Sequence, residues 1–323
     1  MRICIVTPAP PRSRHGNRVT ALRWSRILNR LGHRVTIDQH YCGQNCDVLL
    51  ALHAKRSAGD IERFRKLQPK SPLVLALTGT DLYRDIDRYA VARRSLELAD
   101  RLILLQPHGQ KQLPKKLKAK TRVIYQSAPT PKRFSKPLKD IFEVLLIGHL
   151  RPVKDPFRAG LASRRLPASS KIRIAHLGAA MLPAMEQRAR SEMQINPRYR
   201  WLGEKPRWKT LQQLTRCRLL ILTSKMEGGA NVVSEAIAAS VPIVCTRVSG
   251  CIGLLGEGYP GYFDVGDTRG LTRLLTRVET DGDFYRKLQS WCCRLKPLFD
   301  PKRECTAWKE LFYELTDHSQ QPA

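Results

Sequence analysis

Short apolar runs alternate along this chain with stretches whose apolar residues return at helical spacing. Ile3 to Val6 is a largely β-branched run closed by Thr7-Pro8-Ala9-Pro10-Pro11. A polar loop from Arg12 to Arg18, containing Gly16, leads to Ala21, Trp24, Leu28 and Leu31 on one helical face, and Gly32 ends that helix. Val35-Thr36-Ile37 is the next strand, which completes a βαβ unit and opens a parallel sheet. The alternation then predicts strands at Val48–Leu52, Leu73–Leu77 and Leu102–Leu105, with helices over Asp60–Leu67 and Val91–Ala99.

A Pro- and Lys-rich stretch from Pro129 to Lys139 interrupts the pattern and reads as an interdomain linker. A second series follows, with strands Phe142–Ile147, Ile172–Leu177, Leu219–Leu222 and Ile243–Cys245 and a helix around Ser234–Ala239. Helical patterns around Leu271–Val278 and Cys305–Leu315 complete it. The expected fold class is α/β. Its division is an N-terminal Rossmann-like domain over 1–138, a C-terminal one over 139–300, and a final helix and tail over 301–323 free to pack back on the first. Two such units in series predict a ligand cleft at the carboxyl edges of their strands.

The bulk numbers narrow the function classes. At 323 residues, 42% hydrophobic and 26% charged, the chain has material for two ordinary domains. No apolar run approaches the roughly eighteen residues that a membrane span needs, and the start shows no secretory pattern, so a cytoplasmic protein is expected. Nine scattered cysteines fit that compartment. His40, Cys42 and Cys46 come nearest to a metal cluster but lack a second ligand pair, so no metal is assigned. The 57 Lys and Arg against 28 Asp and Glu, a net charge of +29, concentrate anions without saying which. A nucleic-acid reader is disfavoured because the cations are spread along the whole chain with no recognition motif.

Chemistry is most legible in Thr223-Ser224-Lys225-Met226-Glu227-Gly228-Gly229-Ala230-Asn231-Val232-Val233-Ser234-Glu235-Ala236. A strand ends at Leu222, and a glycine-bearing turn opens a helix near Asn231. Bare glycines and a helix N-terminus suit a diphosphate. The acids Glu227 and Glu235 suit paired sugar hydroxyls. The segment resembles the Glu-x7-Glu signature of family 4 glycosyltransferases, which have the GT-B fold of two Rossmann-like domains facing each other across a cleft. The resemblance implies Glu227 on the donor sugar, Glu235 on the ribose, and the loop from Gly228 through Gly229, Ala230 and Asn231 to Val232 on the diphosphate.

Leu146-Ile147-Gly148-His149-Leu150-Arg151-Pro152-Val153-Lys154-Asp155 resembles the same family's Gly-Arg-Leu-x3-Lys-Gly element, whose cations neutralise the leaving diphosphate. Lys154 matches the lysine. His149 stands where the arginine is expected, and Arg151 is its displaced substitute. In the first half, Gly16-Asn17-Arg18 occupies the place of the family's glycine-rich loop. Leu75-Ala76-Leu77-Thr78-Gly79-Thr80-Asp81 carries Thr78 where the family has a catalytic histidine. A threonine handles a proton poorly. That points either to an acceptor already ionised or to another base such as His53, which reads equally as a buried structural histidine. Asp85-Ile86-Asp87 reads as surface acids rather than a metal motif.

A narrower resemblance runs from about residue 1 to 312, to the selenosugar synthases of selenoneine biosynthesis. It rests on Gly16-Asn17-Arg18-Val19-Thr20-Ala21-Leu22-Arg23-Trp24, Leu52-His53-Ala54-Lys55-Arg56-Ser57, Leu77-Thr78-Gly79-Thr80-Asp81-Leu82-Tyr83-Arg84-Asp85, Tyr125-Gln126-Ser127-Ala128-Pro129, Asn196-Pro197-Arg198-Tyr199-Arg200-Trp201-Leu202-Gly203 and Tyr259-Pro260-Gly261-Tyr262-Phe263. It implies joining selenophosphate to the anomeric carbon of UDP-N-acetylglucosamine, with loss of UDP and phosphate and no cofactor. The expected catalytic set is Arg151, Lys154, Glu227, His53 and Thr78. The donor set adds Gly16, His149 and the loop and Glu235 already named. Asn17, Arg18, Lys55, Arg56, Thr80 and Arg84 are expected at the acceptor. The alternative is a GT-B enzyme passing a hexose from a UDP-sugar to a carbohydrate or lipid-phosphate acceptor.

Overall fold

Val48–Leu52 and Leu73–Leu77 are apolar at every position and buried at every position, as strands covered on both faces must be. They sit at the centre of a six-stranded parallel sheet in a computed structural model that describes residues 1–13 and 15–317. Arg14 of the expected loop and the tail 318–323 lie outside the described residues. The chain divides into two units, Met1–Ser127 with the chain from Asp300 onward, and Ala128–Phe299. The Pro- and Lys-rich stretch therefore falls wholly in the second unit.

In the N-terminal domain the strands are β1 (Arg2–Val6), β2 (Arg34–Asp38), β3 (Val48–Leu52), β4 (Leu73–Leu77), β5 (Arg101–Leu104) and β6 (Thr121–Val123), in the order β2-β1-β3-β4-β5-β6. Alternate residues serve opposite faces. Ile3, Ile5, Leu50, Leu52, Val74 and Ala76 join one core cluster, while Cys4, Val6, Leu49, Ala51, Leu73 and Leu75 join the other. The order reverses between β1 and β3, and the loops after those two strands lie at that switch point. The helix after β1 runs Gly16–Arg30, so Gly16, Asn17 and Arg18 form its first turn rather than the end of a loop.

The C-terminal domain repeats the plan with β7 (Phe142–Ile147), β8 (Ile172–Leu177), β9 (Tyr199–Trp201), β10 (Leu219–Leu222), β11 (Ile243–Thr246) and β12 (Tyr262–Phe263). Their order is β12-β11-β10-β7-β8-β9, all parallel. The switch point lies between β7 and β10. Three-residue β6 and β9 and two-residue β12 are too short to leave a period in the sequence. The helix Pro183–Ile195 buries only Ala189 and Glu192, so it has little apolar stripe to read. Among the described residues, no helix is long and apolar enough to cross a membrane.

The last helix, Pro301–Asp317, belongs to the N-terminal domain. Trp308 is fully buried edge-to-face on Trp24, with ring centroids 4.9 Å apart. Buried Glu304 accepts from Trp24 Nε1 at 3.0 Å, from Ser127 N at 2.8 Å and from Ser127 Oγ at 2.5 Å. Burial pushes its carboxyl pKa upward, against the pull of Arg23 and these donors. Removing the indole leaves a large void that the sheet and helix cannot close. Trp308→Ala should therefore cost the N-terminal domain about 3–5 kcal/mol, read as a lowered denaturant midpoint of its unfolding.

Candidate functional site

At the C-terminal switch point, the loops leaving β7 and β10 are tied by their own backbones. Lys225 N donates to Val153 O at 2.9 Å, and Thr223 Oγ1 donates to Lys154 O at 3.0 Å and Asp155 O at 2.9 Å. Asp155 takes a left-handed conformation (φ +43°) to end the turn Pro152–Lys154. This brings Lys154 Nζ to 2.5 Å from Glu227 Oε1, which also accepts from Ser224 Oγ at 2.5 Å. Glu227 is 8% exposed. An ammonium and a carboxylate in contact at the rim of a sheet form a charge pair that a ligand can share or open.

The loop after β11 completes the frame. Thr246 Oγ1 donates to Ser224 O at 2.6 Å. Gly250, in the first turn of the next helix, packs directly on Glu227: a Cβ there would sit 2.0 Å from Glu227 O and 2.8 Å from Glu227 Cβ. Only a glycine lets the helix Ser249–Leu255 lie against the backbone of Glu227. Gly178 after β8 does the same for Gly148, whose carbonyl would meet a Cβ at 2.0 Å. Neither glycine stood out in the sequence, because a close approach between distant segments leaves no local signature.

Glu235 lies on the helix Asn231–Ala238, 6% exposed, and Arg207 Nη1 is 2.7 Å from its Oε1. Ala230 caps that helix without a side-chain hydrogen bond, and no acid occupies its first turn. The amides entering from Gly228 through Val232 thus carry the positive end of the helix dipole. Asn231 Oδ1 is buried there without a partner. His149 turns its Nδ1 to accept from Ala179 N at 3.1 Å, so it braces the β8 loop. Arg151 is exposed on the same loop.

The N-terminal domain gathers a second group. His53, directly after β3, holds φ +82°, a conformation that costs strain in a residue with a side chain. Its Nδ1 accepts from Arg56 N at 3.3 Å, which assigns the proton to Nε2, 3.3 Å from Thr80 Oγ1 and 3.8 Å from Asp85 Oδ2. Burial lowers the His53 pKa and keeps the ring neutral. Asp81 is buried and accepts from the backbone amides of Ala54, Thr78 and Gly79 at 2.8 to 3.2 Å, so it anchors the Thr78–Thr80 turn to the β3 loop. Asp85 is buried rather than a surface acid, since it is folded under the turn between His53 and Arg84 Nε, the latter 2.9 Å away. Asp87 is exposed.

The four expected acceptor cations differ. Arg84 is neutralised by Asp85, and Lys55 Nζ stacks 3.3 Å from the Tyr89 ring centroid. Arg56 is exposed. Arg18 keeps Nε and Nη1 buried with no hydrogen-bond partner. Gly16 and Asn17 share its helical turn. Among the described residues, no group of three or more His, Cys, Asp and Glu is arranged for a metal ion.

Residues 130–290 match the family profile of the glycosyl transferases group 1. No curated protein matches the chain by sequence. Among solved structures, Anabaena HepE in complex with UDP is similar at 16% identity and TM-score 0.75, covering 98% of this chain and 99% of that one. Sucrose-phosphate synthase from Thermosynechococcus elongatus is similar at 15% identity and TM-score 0.80, over 98% and 99%. A glycosyltransferase from Rickettsia africae is similar at 11% identity and TM-score 0.74, over 98% of each chain. The fold is GT-B, an α/β architecture with two Rossmann-like domains.

The glycine contact behind Glu227 is directly testable. Gly250→Ala should lose about 1–3 kcal/mol from the forced overlap. Gly258→Ala, whose new methyl would meet only Trp291 at 3.6 Å, should stay close to wild type. Equal midpoints for the two variants in denaturant melts would show that Glu227 is not held this way.

Proposed function

We propose, on the premise that residues 130–290 are a group 1 glycosyl transferase domain, that this chain transfers a sugar from a UDP-sugar donor. The observation that carries the reading is the Lys154–Glu227 contact, set beside the open N-terminus of the helix Asn231–Ala238. Lys154, Arg151 and the amides of Gly228 to Val232 neutralise the leaving diphosphate, so charge develops on UDP against fixed positive partners. Glu227 takes hydroxyls of the donor sugar, and Glu235 those of the ribose. HepE binding UDP at 16% identity over nearly the whole chain supports the nucleotide, as a property of that protein extended here.

The acceptor we propose is selenophosphate and the donor UDP-N-acetylglucosamine. Support comes from the chain-long resemblance, from the neutral, hydrogen-bonded His53, and from the unpartnered guanidinium of Arg18. Selenium attacks the anomeric carbon while the bond to the UDP oxygen breaks, which gives a selenium-linked sugar phosphate and UDP. Water then cleaves the phosphorus–selenium bond, leaving phosphate and a 1-selenosugar. An anionic chalcogen nucleophile needs cations around its phosphoryl oxygens more than it needs a base. Arg18 and Arg56 serve that purpose, with Asn17, Thr78 and Thr80 as hydroxyl and amide partners. Lys55 and Arg84 are secondary because Tyr89 and Asp85 already engage them.

Purified protein given UDP-N-acetylglucosamine should release UDP only when selenophosphate is present, and mass spectrometry should find the 1-selenosugar. Arg18→Met should raise the KM for selenophosphate by about tenfold or more, the scale of a charged hydrogen bond, and leave the donor KM nearly unchanged. A sugar alcohol supporting UDP release as fast as selenophosphate would remove the selenium assignment and leave the glycosyl transfer.

A further inference from the structure

The outer face of the helix Thr268–Thr280 carries an arginine at every turn: Arg269, Arg273 and Arg277. Residues four apart rise about 6 Å along a helix axis, and like charges at that spacing repel. Leu271, Leu275 and Val278 bury the opposite face, so the arginines stay at the surface. The repulsion is relieved at one end only. Arg277 Nε meets Asp281 Oδ2 at 3.2 Å, and its guanidinium lies 4.1 Å from the Phe284 ring centroid. Among the described residues, Arg269 and Arg273 make no ion pair. The capping carboxylate of Asp267 is engaged by Gly270 N at 2.8 Å rather than by Arg269. Arg165, just past the helix Arg158–Ser163, joins the row around a groove of about 580 Å³ and, among the described residues, also makes no ion pair. The two helices that frame the groove are tied at two points. Arg158 Nη1 donates to Thr268 Oγ1 at 2.6 Å, and Thr272 Oγ1 donates to Ala162 O at 3.3 Å.

We propose that this groove is a second anion site, which takes a linear oligophosphate along Arg269 and Arg273 with Arg165 as its third cation. The proposal goes beyond sugar transfer and does not depend on it, since none of the lining residues belongs to the donor or acceptor sets. The lining is arginine and threonine throughout, without an acid or an aromatic ring. A guanidinium fork matches the oxygens of a phosphoryl group through two parallel hydrogen bonds. Thr272 and Thr280 spend their hydroxyl protons on the carbonyls of Thr268 and Thr276, at 2.9 Å each. A single-stranded nucleic acid would want a ring on which to stack its bases. A bilayer would want exposed apolar side chains beside the cations. The lining offers neither. A chain of phosphates asks only for cations at a regular spacing, and an arginine about every 6 Å supplies them.

The test is calorimetric titration of the full chain with inorganic tripolyphosphate at fixed salt, with and without saturating UDP. Wild type should bind tripolyphosphate more tightly than single phosphate, and UDP should not displace it. Arg269→Gln and Arg273→Gln should each weaken tripolyphosphate by about fivefold, the upper end for an exposed charge pair, and the double variant by about twentyfold. Both should leave the affinity for UDP unchanged. Arg200→Gln removes one charge from an exposed position of the same domain, and should bind tripolyphosphate as wild type does. Neither groove variant should melt at a lower temperature than wild type, because each removes a like-charge repulsion. Equal losses in Arg200→Gln would show that net charge alone attracts the anion, and would overturn the proposal. So would displacement by UDP, or a lowered melting temperature in either groove variant. Vesicles of anionic lipid or a single-stranded oligonucleotide that bound more tightly than tripolyphosphate, and lost that binding in the double variant, would assign the groove to another partner and overturn the oligophosphate.

Discussion

A buried carboxylate must have partners, and the candidate site of the C-terminal domain is organised around two such groups. Glu227 is held by Lys154 and Ser224, and Glu235 by Arg207. Stripping the partner from such a group typically costs about 3–5 kcal/mol, because the charge is left uncompensated. The loops that deliver those partners therefore cannot drift. Thr223 after β10, with Thr246 at the end of β11 and the close approach at Gly250 just after it, supply the rigidity. The order β12-β11-β10-β7-β8-β9 makes this possible by setting the ends of β7 and β10 side by side, although they are separated by more than seventy residues of chain.

The N-terminal domain solves a different problem with the same sheet. Two acids near its strand ends are buried and engaged within the fold: Asp81 by three backbone amides, Asp85 by His53 and Arg84. What remains for a ligand is positive or hydroxylic, with Arg18 on the first turn after β1 and Thr80 beside His53 after β3. Strain at His53 (φ +82°) is tolerated because Arg56 N, Thr80 and Asp85 all fix the ring. One domain thus presents acids paired with cations. The other presents cations beside hydroxyls.

Much of this was readable before any coordinates. The central strands announce themselves as unbroken apolar runs, since burial on both faces removes polar residues from them. Glu227 and Glu235 stand out in the sequence as candidates because glycines lie between them and small residues follow them. Residues whose role depends on long-range packing were not legible. Gly250 and Gly178 matter through backbones far away in sequence, and Arg207 looks like one cation among many until Glu235 is placed beside it. Asp85 reads as a surface acid because nothing in Asp85-Ile86-Asp87 shows which of the two carboxylates the turn folds inward.

The claim underlying the rest is that a nucleotide diphosphate sits against the amides between Gly228 and Val232. Hydrogen exchange of those amides with and without UDP, followed by mass spectrometry, addresses it directly. Binding there predicts slowed exchange in the segment 223–235, together with the loop 148–155 that carries Lys154. Unchanged exchange in both segments at saturating UDP would contradict it. Protection appearing instead along the helix Thr268–Thr280, where Arg165, Arg269, Arg273 and Arg277 line a cavity of about 580 Å³, would place the anion on a different face of the same domain.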